Sequence, residues 1–371
     1  MKISSSALPA LLALSVLCVA AQTAHTQTFC RALGDSLTDG YVDKTTNTPV
    51  NYSAFLQTMG RCSYVSNEGV SGQISTEIAV RSGALPTTAT IVGGVIPALR
   101  SVEIHFPPGH EATTHFSGFG VPMSISGVAG IVNHVGSTDM FSRSTPGMPV
   151  ASAPDSPVTI ITGPLNNGFV IIWAGKNNYY RPQEVLSDIA AMVAFLPNPK
   201  RFVVLSITNS NVKDQWKGGK LYDTNMQLNA SLAAAYPRNF LDIRSILVAG
   251  FDPSNAEDVI DHGHDVLPFS LRLNQTSTLP APVTDAASCT AIPAQFGMGS
   301  TVQIDEEKIY VLGAGKGFAN DRGCIRGYAG TVAATHSAGA PVLAVDATHL
   351  DAAGHKLVAK SINDWMTANG Q

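Results

Sequence analysis

"GFVIIWAG", residues 168 to 175, and "RPQEVLSDIAAMVAFL", residues 181 to 196, decide the reading of the fold. The first is a short unbroken apolar run of the kind buried on both faces of a parallel sheet. The second is a helix with Pro182 in its first turn and with Val185, Ile189, Val193 and Leu196 on one face. The same strand-then-helix unit recurs outward from this pair. "TFCRALG" (28 to 34) precedes a helix-compatible stretch near 51 to 60, and "CSYVSN" (62 to 67) leads into "ISTEIAVRSG". "RFVVLSI" (201 to 207), a helix around 220 to 235 and "NFLDI" (239 to 243) repeat it, and "DAAGHKLVAKSINDWM" closes the chain with an amphipathic helix. Strands that alternate with helices imply an α/β core with a parallel sheet and helices on both of its faces.

Two segments break the rhythm. Residues 84 to 167 lack a helical period and carry alternating runs such as "SVEIHF", "MSISGVAGIV" and "VTIITG", which reads as a β-rich insertion. Residues 274 to 341 form a second, loop-rich insertion. Loops of this length inside an α/β core serve as lids or binding surfaces.

Composition narrows the function. The 371 residues are 44% hydrophobic and 13% charged, enough apolar material for a large folded core. The formal net charge is −4 and the basic residues are scattered, so nucleic acid is not expected as a partner. The opening "MKISSSALPALLALSVLCVAAQTAHTQ" has one lysine, an apolar stretch from Ala7 to Ala21 and a polar sequel. This reads as a secretory signal cleaved after Ala21, too short for a good membrane span. An uncleaved anchor is the alternative reading. Lipidation at Cys18 is disfavoured because bulky Leu17 precedes it. The expected location is therefore secreted, periplasmic or extracellular, without stable membrane association.

Removal of residues 1 to 21 leaves Cys30, Cys62, Cys289 and Cys324, an even count that allows three disulfide pairings in an exported chain. Cys30 and Cys62 each sit in a strand-like run near the start, and Cys289 and Cys324 share the second insertion. The favoured pairing is 30 with 62 and 289 with 324, and no pair has the close spacing of a zinc site.

Ser36, in "LGDSLTDG", follows the first apolar strand, where ligands gather in a parallel sheet. By position alone it is as well read as a helix cap, and the Gly-x-Ser-x-Gly elbow is absent. A serine needs a base, and the base an orienting group. His349 in "AVDATHLDAAGH" lies three residues after Asp346, within reach of a hydrogen bond, though Asp-x-x-His is also an ordinary capping pattern. Gly72 in "NEGVSGQIS" and Asn177 in "WAGKNNYY" end the second and third strands, where they could donate to an oxyanion. Each is by itself an ordinary turn.

Together, and in this order along the chain, the four stretches resemble the blocks of the GDSL esterases and lipases, also called SGNH hydrolases. "GDSL" is at 34 to 37, the glycine block at Gly72, "GKNN" at 175 to 178 and "DATH" at 346 to 349. The resemblance implies a flavodoxin-like three-layer α/β/α core formed by 28–83, 168–273 and 342–369, carrying both insertions. It implies Ser36 as nucleophile, His349 as general base and then acid, and Asp346 as its orienter. The oxyanion donors would be the backbone N–H groups of Ser36 and Gly72 and the side-chain amide of Asn177. Asn178 departs from the family, which has an aspartate of structural role there. The implied activity is hydrolysis of carboxylic esters, without cofactor or metal, on a small-molecule or polysaccharide substrate, and short acyl groups on carbohydrate are the favoured class. A lipase or aryl esterase, an acyltransferase on the same triad and a non-catalytic carbohydrate-binding protein are the alternatives.

Three features compete with this reading. "DHGHD" (261 to 265) places His262 and His264 among Asp258, Asp261 and Asp265, which suggests either metal ligands or a solvated surface. His355 reads as one face of the last helix rather than as a second base. Asn51, Asn229 and Asn274 head glycosylation sequons, which matter only in a eukaryotic source.

Overall fold

The computed structural model describes residues 28–113, 120–162, 168–289, 298–312 and 323–371, so the expected leader at 1 to 21 lies outside the described residues. Five strands form one parallel sheet, in the order Phe240–Leu241, Phe202–Leu205, Phe169–Trp173, Thr28–Gly34 and Cys62–Gly69. Every residue of Phe169–Trp173 is buried, as an unbroken apolar run requires. One face packs Ala32, Ile171 and Val203 against Leu56 and against Val358, Ile362 and Met366 of the last helix, Ala352–Ala368. The other packs Leu33, Ile172 and Val204 against Ile78, Val185, Ile189 and Leu228. Gly34 is level with Trp173 on one side and Gly69 on the other, so three strands end at one edge.

A flavodoxin-like three-layer α/β/α fold nevertheless does not describe this chain. Strand residues (31%) outnumber helical ones (28%) among those described. Six antiparallel strands close into a barrel: Thr87–Ile91, Val102–His105, Val121–Ile125, Val128–Val135, Thr138–Arg143 and Ser156–Ile160. Their alternate residues, among them Ile91, Ile104, Met123, Val132 and Phe141, fill an apolar core of the barrel's own. A further five-stranded sheet runs in the order Arg272–Thr278, Pro341–Leu350, Thr301–Ile304, Glu307–Val311 and Cys324–Ile325, all antiparallel. Residues 342–350, expected within the α/β core, lie in this antiparallel sheet. An apolar run shows that a strand is buried without showing which way its neighbours run, and here the partners are Arg272–Thr278 and Thr301–Ile304.

The disulfides are Cys30–Cys62 and Cys289–Cys324. The first ties the strand before Ser36 to the strand before Gly72. The second joins the loop after Arg272–Thr278 to the edge of the antiparallel sheet. That sheet is also fastened by Glu307, whose carboxylate takes two hydrogen bonds from Arg326, at 2.7 and 2.7 Å, one from His336 Nε2 and two from the backbone N–H groups of Gly327 and Ala334. Burial works against its charge, and the Arg326 guanidinium with the other donors outweighs burial and holds the carboxyl at about 2.

Candidate active site

The turn after Thr28–Gly34 is tight. A side chain at Gly34 would meet Thr38 Oγ1 at 2.1 Å and the Trp173 carbonyl at 2.7 Å, so the chain enters the short helix Ser36–Asp39 on a glycine. The cap of that helix is Asp35, whose Oδ1 accepts from the Leu37 N–H at 3.0 Å. Ser36 is thereby released from the capping role, and its Oγ lies 3.0 Å from Nε2 of His349.

His349 reaches the serine from the antiparallel sheet. Arg272 pairs with Leu350 and Asn274 with Val345, so between these pairs the single residue Leu273 faces four, Asp346 to His349. The longer side bulges from the ladder, which re-aims side chains beside a site. Asp346 Oδ1 closes the bulge as a local turn, accepting from the backbone N–H groups of Thr348 at 2.6 Å and His349 at 2.7 Å and from the imidazole Nδ1 at 3.1 Å. A carboxylate only accepts, so Nδ1 carries the proton, Nε2 is the acceptor and the Ser36 hydroxyl donates to it. Arg272 holds the bulge from behind: Nη1 donates to the Asp346 carbonyl at 2.8 Å and Nη2 to Asp261 Oδ2 at 2.6 Å, in an ion pair with almost no exposure.

The electrostatics suit proton transfer. Burial opposes the charge on Asp346, but the His349 hydrogen bond and charge outweigh it and hold the carboxyl below the usual range. Burial also presses His349 downward, and the Asp346 hydrogen bond and charge, aided by Asp35, leave it raised above an ordinary imidazole. The two side chains remain 40% and 35% exposed, so solvent reaches the pair.

Gly72 occupies the third position of a turn closed by the Gln73 N–H on the Val70 carbonyl, at 3.3 Å, with φ +83, a conformation that favours glycine. Asn177 Nδ2 donates to the Gln73 carbonyl at 2.9 Å, which joins the second and third blocks directly. Ser71 Oγ donates to Asp39 Oδ2 at 2.8 Å and joins that same turn to the helix of Ser36. Arg81 braces the back of the assembly, donating to the side chain of Gln73 and to the carbonyls of Glu68 and Gly34. Asn178, fully buried, bonds Ser75 through its backbone N–H and its Oγ and reaches Glu184 at 2.7 Å, so it fastens one block to the next.

These elements border a cleft of about 190 Å³, lined by Ser36, Gly40, Tyr41, Ser71, Leu273, His349, Leu350 and His355. His355 is 1% exposed, and burial, with the neighbouring His349 charge, depresses it to about 3, which keeps it neutral. Two larger hollows, near 460 and 490 Å³, lie against Arg31, Glu68 and Arg81 and against Asp305 and His336, and neither is lined by Ser36 or His349.

The "DHGHD" residues have other work. Asp261 is the counter-charge of Arg272, and Asp258 accepts from the N–H of Asp252 and from Ser270. Asp265 pairs with Arg244 and Tyr222. His262 stacks on Phe251, and His264 on Trp216 at 3.8 Å. Sequence reading missed Arg272 and the cleft residues Tyr41 and Leu273; the places of Arg272 and Leu273 come from pairing with a strand some seventy residues later, which no local pattern signals.

Comparison of the chain with models of known protein families, with curated proteins and with solved structures finds no match in any of the three.

Proposed function

We propose that this chain is an exported serine esterase of the GDSL type, working through an acyl-enzyme. The observation that carries the reading is the line Ser36 Oγ, His349 Nε2, His349 Nδ1, Asp346 Oδ1, with contacts of 3.0 and 3.1 Å between residues 313 and 3 positions apart. The four sequence blocks that resemble those enzymes contribute all three residues.

In the proposed cycle, Ser36 Oγ attacks the ester carbonyl while His349 Nε2 takes its proton, and Asp346 stabilises the imidazolium. Negative charge on the former carbonyl oxygen is met by the backbone N–H groups of Ser36 and Gly72 and by the Asn177 amide, whose second N–H is left over after its bond to Gln73. Collapse expels the alcohol, which receives the proton from His349. Water then attacks the acyl-serine with His349 as base, releasing the acid and restoring Ser36.

Short acyl groups on carbohydrate are the favoured substrates. A cleft of about 190 Å³ is small beside the roughly 300–1,000 Å³ of pockets for larger ligands, which supports an acetyl-sized acyl group. Export is supported by the leader-like opening and by the two disulfides. Among the described residues no helix is long and apolar enough to cross a membrane. An aryl-acetate assay on purified protein beside Ser36→Ala tests the reading: turnover by the wild type and none by the variant is expected, and equal rates overturn it.

A further inference from the structure

After the strand Phe202–Leu205 the chain runs through "SITNSNV", residues 206–212, outside any helix or strand. Loops normally turn their polar side chains to water. Here Ser206, Thr208, Asn209 and Asn211 are completely buried and Ser210 nearly so. Such burial is tolerated where bonds are made in place of water, and those made here reach both halves of the site. Lys176 Nζ, beside Asn177, donates to the Thr208 carbonyl at 2.9 Å. The Asn211 N–H donates to the Ala347 carbonyl at 2.8 Å, and the hydroxyls of Ser210 and Thr348 share a hydrogen bond of 2.5 Å.

The loop is itself held firmly. Asn209 Nδ2 donates to the carbonyls of Gln215 and Asp265, and its Oδ1 accepts from Arg244. Gln215 Oε1 accepts from the Ser210 N–H at 2.8 Å. Asn211 Oδ1 takes the indole N–H of Trp216 at 2.8 Å, and its carbonyl takes the Tyr310 hydroxyl at 2.7 Å. The bulge that carries His349 is thus set against a fixed stop. Arg272 braces that bulge from within its own antiparallel sheet, which leaves open where the sheet stands relative to Ser36. The 3.0 Å contact of Ser36 with His349 spans two sheets, so its length depends on contacts between them. Gly34 pairs with Trp173, and Ile172 with Val204, so the strands before Ser36 and before Ser210 end at one edge. Thr348 adjoins His349, and a shift at the Ser210 hydroxyl reaches the imidazole across a single residue.

We propose that Ser210 is a positioning residue: by its hydroxyl bond to Thr348, with the Asn211–Ala347 bond beside it, it sets His349 Nε2 within reach of Ser36. Ser210 does not line the cleft, so it acts through the bulge. The proposal rests on the reading of Ser36 and His349 as nucleophile and base.

The test is a double-mutant cycle in the full chain, Ser210→Ala, Thr348→Val and both together, with Thr348→Ser as the variant that keeps the hydroxyl. Folding is checked by circular dichroism and thermal unfolding. A misplacement of about 1 Å can cost roughly 10²-fold, so each single variant loses about 10- to 100-fold in kcat for an aryl acetate, with KM within about twofold. The double variant loses no more than the worse single one, and Thr348→Ser recovers most of what Thr348→Val loses. If Ser210→Ala does not fold, Thr348→Val against Thr348→Ser reads the same contact. A purely structural contact lowers the melting temperature and leaves kcat intact in the folded protein. Single variants within about twofold of the wild-type kcat, or losses that multiply in the double variant, therefore overturn the proposal.

A second readout needs no substrate. In ¹⁵N-histidine-labelled protein, with the signal assigned by His349→Asn, Ser36→Ala shifts the Nε2 resonance of His349, and this response disappears in the Ser210→Ala background. A response that persists there overturns the proposal, even where kcat falls. Failure of the esterase reading is distinct: the wild type then turns over no more ester than Ser36→Ala, while the resonance still reports whether Ser210 holds the ring against Ser36.

Discussion

Arg272 holds Asp346 by its backbone: Nη1 of the arginine donates to the Asp346 carbonyl oxygen at 2.8 Å, while Nη2 of the same guanidinium is neutralised by Asp261. The bulge that presents His349 therefore depends on a charge pair with essentially no contact with water.

Arg272→Met removes one partner and leaves the Asp261 carboxylate buried without its counter-charge, an arrangement that costs roughly 3–5 kcal/mol. Urea unfolding should show a loss of that order together with a drop in esterase rate. A loss below about 1 kcal/mol would mean that the bulge is held by its own turn. Asp261→Asn in the Arg272→Met background should recover part of the stability.

Asp346→Asn keeps an oxygen for the backbone N–H groups of Thr348 and His349 but loses the carboxylate that fixes the imidazole tautomer. The expected result is a fall in kcat of about 10²- to 10⁴-fold, with the melting temperature little changed. A large thermal shift with intact kcat would assign Asp346 to the turn alone.

Activity and stability should respond to pH in opposite senses at His349. As base the ring must be neutral, and its value is raised above 6.5, so kcat/KM should fall as pH drops through a limb lying above 6.5. A flat profile between about pH 5 and 8 would argue against His349. For stability, a raised folded value means that the contribution is fully present below the unfolded value and is lost as pH rises through the folded one. Removing the ring with His349→Asn should flatten that part of a stability-against-pH curve.

The Cys289–Cys324 bridge closes a loop with a sequence separation of 35, and Cys324 pairs with Val311 at the edge of the antiparallel sheet. Replacing both cysteines by serine should cost roughly 3–4 kcal/mol in chemical unfolding, the loop-entropy value for that length. Since the same sheet carries His349, activity should be lost at a lower denaturant concentration than in the wild type.

How much of this was legible in the sequence follows the range of the interactions. Phe169–Trp173 announces itself because every residue of the run is apolar, whereas Ser36, Asp346 and His349 are ambiguous one by one and stand out only through the joint resemblance of their stretches to the blocks of one enzyme family. The direction of Pro341–Leu350 is not written in its own pattern, since its partner strand Arg272–Thr278 lies 63 to 78 residues earlier in the paired positions. Asp261 shows the same limit. Beside two histidines it suggested a metal ligand, and only folding reveals that Arg272, eleven residues later, takes it. The fold class failed for a related reason: the alternating pattern of 87 to 160 shows that strands form, whereas closure into a barrel depends on which strands meet.

Ser36 opens the short helix that follows a strand of the parallel sheet, and His349 lies on the antiparallel sheet, 313 residues later. On the proposed mechanism Ser36 meets its base only once Pro341–Leu350 has paired with its sheet, so that reactivity would depend on the docking of that strand.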